Sequence, residues 1–134
     1  MSPAEANLIL RPLIEAASPE DRRRAARVGV YAAAAADAFG LGAERVLLAR
    51  VLAELESLPH AALPPTALAM RAAASDDEDV ERIVALALAY DRQSVSGGQD
   101  SAESWLSRHG STEFGTERAA ALRTCAGLIQ PQNS

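Results

Sequence analysis

The sequence predicts an all-α fold, a single compact domain of about six to seven helices over residues 1–129 followed by a polar tail at 130–134. Three observations predict it. Apolar residues recur three and four positions apart in successive segments, which is the period of a helix with one buried face. Ser18-Pro19-Glu20-Asp21 and Ser75-Asp76-Asp77-Glu78 carry the chemistry of helix starts. No stretch alternates apolar and polar residues in the manner of a half-buried strand, and no internal repeat or interdomain linker is visible.

The first helix is expected over residues 4–17, which carry Leu8, Ile9, Leu13 and Ile14 at helical spacing. Pro12 lies in its interior, lacks an amide hydrogen and crowds the preceding turn, so a kink or break is expected there. In the second helix Ser18 caps, Pro19 suits the first turn, and Glu20 and Asp21 complement the positive end of the dipole. That helix should run to about Phe39 with Ala25, Val28, Ala32, Ala35 and Phe39 inward, and Gly40 and Gly42 should end it. A third helix follows over 43–57, burying Leu48, Val51, Leu52 and Leu55.

Pro59, Pro64 and Pro65 mark a rigid connector, with a short helix at 66–74. The start at Ser75–Glu78 has the pattern of a capping box. It opens a helix whose stripe of Val80, Ile83, Val84, Ala87 and Leu88 should end near Asp91. Gln93 to Asp100, with Gly97-Gly98, reads as a loop. A further helix should open at Asp100 or Ser101, pass through Trp105 to His109 and stop at Gly110. The final helix is expected over 116–128.

Composition narrows the class of function. The chain has 134 residues, is 49% apolar and only 4% aromatic, so its core is built from alanine and branched aliphatics. A domain of this length buries a substantial core. No apolar run approaches the roughly 18 to 20 residues that a membrane-spanning helix needs. Met1 to Glu5 show no basic segment leading into an apolar stretch, and the lone Cys125 rules out an internal disulfide. A cytoplasmic location, away from the membrane, is therefore expected. The formal net charge of −5 disfavours nucleic acid as a partner, because that role needs a basic surface. All thirteen basic residues are arginine.

Two stretches carry a resemblance. Arg27-Val28-Gly29-Val30-Tyr31-Ala32, followed by Ala38-Phe39-Gly40-Leu41, is one. The other is Arg82-Ile83-Val84-Ala85-Leu86-Ala87-Leu88-Ala89-Tyr90-Asp91, with Ala102-Glu103-Ser104-Trp105-Leu106 and Gly110-Ser111-Thr112-Glu113-Phe114 after it. The first resembles the opening helix of HD-GYP domains, and the second resembles that family's late helix and its turn before the closing helix. The resemblance covers about two thirds of the chain and implies an HD-domain-like helical bundle. HD-GYP proteins are metal-dependent phosphodiesterases of cyclic di-GMP, whose histidines and aspartates hold metals that activate water.

Matched residue by residue, those ligands are missing. Arg24 falls at the first-helix histidine, Ala53-Glu54 replaces the His-Asp pair, and Leu88 stands at the late-helix aspartate. The stretch between Met70 and Glu81 is too short for the middle section with its Gly-Tyr-Pro signature. Arginine repels a metal cation, and alanine and leucine offer it no ligand atom. The resemblance thus implies helix packing without hydrolysis, with no catalytic residue, no metal site and no cofactor.

Plainer roles account for the remaining candidates. His60 lies in the connector and His109 at a helix end, and neither sits in a ligand motif. Cys125 has no activating base near it in sequence, and most buried cysteines behave as small hydrophobes. Asp76 to Glu81 lack the central glycine of a calcium loop and suit a first helical turn. The glycines at 97–98 lack the Lys-Ser/Thr of a phosphate loop.

Arg22-Arg23-Arg24 with Arg27 is the most basic segment. Arg23 and Arg27 share a helical face, and Glu20 is placed to pair with Arg24. The plain reading is a solvated face. The functional one makes Arg23, Arg24 and Arg27 an anion or partner contact, which the planar guanidinium suits. The expected function is an inactive HD-GYP-like module working by protein contact, as a homodimer or with a signalling partner. The alternative is a sensor that binds a nucleotide, such as a cyclic dinucleotide, without cutting it.

Overall fold

The computed structural model describes residues 2–59, 63–74, 76–110, 115 and 117–122, and among these every regular element is helical. Helix α1 spans Pro3–Ala16, capped by Ser2, whose hydroxyl accepts from the Glu5 amide at 3.2 Å. Helix α2 spans Pro19–Phe39, and Ser18 accepts from the Asp21 amide at 3.1 Å, the cap that the sequence signals. Gly40, at φ 99°, closes α2 in the left-handed conformation. Helix α3 spans Ala43–Glu56, α4 Pro65–Ala74 and α5 Glu78–Trp105. A π-helical turn, Leu106–Gly110, follows, and residues 117–122 are helical.

Helix α3 organises the packing. Its Ala49, Leu52 and Ala53 face α2 and α5, joining Val28, Ala32, Ile83, Leu86 and Tyr90 in the larger apolar cluster. Its Val51 and Leu55 face the other way, toward Leu10 of α1 and Met70 of α4 in a smaller cluster. Because one helix feeds both clusters, the described helices form one body. Each fully buried leucine or isoleucine contributes about 1.5–3 kcal/mol relative to exposure. Alanines such as Ala25, Ala32, Ala36 and Ala87 fill the seams between helices and allow close approach.

At Gly29, α2 passes close to α3. A Cβ at that position would lie 2.9 Å from Cγ of Glu54.

Several sequence expectations are corrected. Helix α1 continues unbroken through Pro12. Pro12 is exposed and Leu8, whose carbonyl loses its amide partner, is 72% exposed, so the freed oxygen faces water. Helix α5 does not end near Asp91. It runs on through residues 93–97 and breaks at Gly98, with φ 85° and ψ 176°, inside the expected loop, before a second helical stretch continues to Trp105. That backbone region is essentially restricted to glycine.

The cap of α5 is Asp77, which accepts from the Val80 amide at 3.2 Å, and Ser75 lies outside the described residues. The helix expected to reach His109 ends at Trp105, and His109 falls in the π-turn. Leu48 and Phe39 are half-buried against the core instead of enclosed. His60, Cys125, most of the expected final helix and the 130–134 tail lie outside the described residues. Among the described residues no helix is long and apolar enough to cross a membrane.

Candidate functional site: an arginine cleft between α2 and α5

The start of α2 and the middle of α5 enclose a cleft of about 630 Å³. Helix α2 contributes Glu20, Arg23, Arg24 and Arg27, and α5 contributes Asp91, Arg92, Gln93, Val95 and Ser96. The three arginines singled out in the sequence are therefore brought together, with a fourth, Arg92, added from across the cleft.

The four guanidinium groups are held differently. Arg27 grips Asp91 in a fork, Nε to Oδ1 at 2.8 Å and Nη2 to Oδ2 at 3.2 Å. Asp91 is only 3% exposed, so this pair ties α2 to α5 and satisfies a buried carboxylate. Its hydrogen bond raises the Arg27 pKa above the ordinary value, against an opposing effect of burial. Arg24 donates to the Ser57 carbonyl at the end of α3. It also approaches Asp21 at 3.8 Å, and not the Glu20 that sequence spacing suggested. Arg23 and Arg92 are exposed and make no hydrogen bond or ion pair among the described residues. The cleft thus has a braced floor and two uncommitted charges at its edge.

Arg92, Gln93, Val95 and Ser96 escaped the sequence reading because that segment carries no apolar stripe and runs into Gly97-Gly98. The available signal was the Asp91-Arg92 pair, one turn beyond Leu88 and in phase with the α5 helix.

Arg24, Ala53-Glu54 and Leu88, which the sequence resemblance sets against metal ligands, lie in distinct surroundings. Arg24 lines the cleft. Ala53 is fully buried, and Glu54, 3% exposed, accepts from Arg11 Nη2 at 2.6 Å with Arg50 Nε at 3.8 Å. Leu88 lines a separate cavity of about 250 Å³ with Leu52, Val84, Glu81 and the Arg71–Glu56 ion pair. Among the described residues, no group of three or more His, Cys, Asp or Glu could hold a metal ion. A third cavity, of about 200 Å³, is lined by Gln93, Ser101, Trp105, Arg108 and His109.

Comparison of the chain with protein-family models, with curated proteins and with solved structures gives no match.

Proposed function

We propose that this chain is a non-catalytic, HD-GYP-like helical module that works by contact, and that the contact is an acidic face of a partner protein received by the arginine cleft. The observation that carries this reading is the charge of the cleft. Four arginines face two carboxylates there, within a chain whose formal net charge is −5. Leaving Arg23 and Arg92 without partners costs nothing in water, but it keeps two planar forks available for carboxylates. No aromatic side chain lines the cleft among the described residues, so a base has no stacking platform beyond arginine. That favours an acidic protein surface over a nucleotide.

One observation speaks for the nucleotide-sensor reading. The cleft volume falls within the range of roughly 300–1,000 Å³ typical of small-molecule sites. Calorimetry and light scattering on the purified protein separate the two readings, with cyclic di-GMP and long poly-L-glutamate as probes. The expected result is salt-sensitive binding of poly-L-glutamate, lost in the Arg23→Glu/Arg92→Glu double variant, and no heat with cyclic di-GMP. Binding of cyclic di-GMP that the same variant abolishes would put the sensor reading first. Binding of neither probe at low salt would sink both.

A further inference from the structure

Gln93 lines both the arginine cleft and the cavity at the end of α5. The two spaces therefore adjoin, and the break at Gly98 lies between Ser96 of the cleft and Ser101 of the far cavity. Arg108 and His109 stand at the far end, both exposed, with Arg108 donating to Ser104 at 2.6 Å. A guanidinium group thus marks each end of the combined space, Arg23 and Arg92 at one and Arg108 at the other. Its carboxylates, Glu20 and Asp91, belong to the α2 end, and Asp91 is already held by Arg27.

We infer that the two cavities form one groove that receives an extended acidic peptide segment. Arg23 and Arg92 anchor one end of that segment, and Arg108 and His109 anchor the other. This rests on the contact reading above and specifies the partner's binding element. A helical rise of about 1.5 Å per residue puts Arg92 and Arg108 roughly 24 Å apart along the chain path. An extended chain covers about 3.3 Å per residue, so a segment of about seven or eight residues spans the groove and one of three does not. Trp105 lies on the wall between the anchors and offers apolar surface to the stems of glutamate side chains.

Two capped peptides, one of three glutamates and one of eight, test the inference by NMR titration of the whole chain at low salt. The eight-residue peptide should bind more tightly. Arg108→Glu should weaken it about tenfold and leave the three-residue peptide within about twofold, since only the longer one reaches that end. His109→Glu, also at an exposed position, should act in the same direction and serves if the Arg108 variant does not fold. Arg23→Glu/Arg92→Glu should weaken both peptides. If the Arg108 and His109 variants bind the long peptide as the parent does while Arg23→Glu/Arg92→Glu does not, the groove is wrong and the cleft stands. If neither peptide binds the unmodified chain, the contact reading falls as well.

Discussion

Among the described residues Tyr90 is the largest side chain fully closed off from solvent, and its ring meets Tyr31 edge-on with centroids 5.2 Å apart. Its hydroxyl has no hydrogen-bond partner among the described residues. Burial, helped by the nearby Tyr31 and Glu103, pushes its pKa up to about 12. An acid whose folded pKa is raised costs nothing while both states stay protonated. Above about pH 10 the unfolded chain ionises first, so the folded state loses stability from there up to about pH 12. Tyr90→Phe keeps the ring contact and removes the orphaned hydroxyl. It should raise stability at neutral pH by about 1 kcal/mol in urea denaturation and flatten the alkaline loss. A lower stability in that variant would mean that the hydroxyl has a partner.

Gly29 is decided at the same scale. An alanine there gains about 1 kcal/mol of helix propensity. Its Cβ, however, would press on the buried, ion-paired Glu54, whose Cγ lies 2.9 Å away. Overpacking of this kind costs about 1–3 kcal/mol, so Gly29→Ala should lower stability by about 1 kcal/mol. A denaturation midpoint equal to or above the parent's would show that Glu54 moves aside freely.

At the level of elements, the N-terminus of α5 is pinned by charge. Asp77 caps it and is gripped by Arg45 of α3 through two contacts of 2.8 Å. The Arg45 hydrogen bonds, with help from the Val80 and Asp79 amides, hold the Asp77 carboxyl below its usual range despite some burial. A depressed carboxylate stabilises the fold above its unfolded pKa, and that share is lost as pH falls through the folded value, below about pH 4. Asp77→Asn keeps a capping oxygen and deletes the charge. Thermal melts between about pH 2.5 and 5 should therefore show a shallower acid loss for this variant than for the parent. An identical slope would remove Asp77 from the acid response.

Helix boundaries were legible where side chains announce them, as at Ser18-Pro19 and Gly40. They were misread where tertiary context decides. Pro12 breaks nothing, because the carbonyl it strands is on the wet side of α1. The polar run from Gln93 to Ser96 stays helical although it buries little. Arg23, Arg24 and Arg27 could be nominated from spacing alone. Asp91, which fixes Arg27, could not be, because it comes from 64 positions away.

Across the whole molecule, α2 has two faces with unrelated duties. One buries Val28, Ala32 and Ala35 in the main core, and the other presents Arg23 and Arg24 to the cleft. Reversing the charge of exposed residues away from packed or networked positions usually changes stability by no more than about 0.5 kcal/mol. The Arg23→Glu/Arg92→Glu variant should therefore unfold at nearly the parent's midpoint while losing the acidic probe. A large drop in the midpoint would reveal that these two arginines brace the fold.

Helix α3 sits at the opposite extreme. Its residues Val51 to Leu55 are all buried, between two clusters, and leave no side open to change. Drift along this chain is thus channelled: the 51–55 stretch of α3 tolerates little change, whereas the outer turns of α2 accept new charges. The charges that line the cleft can therefore change on an unaltered scaffold.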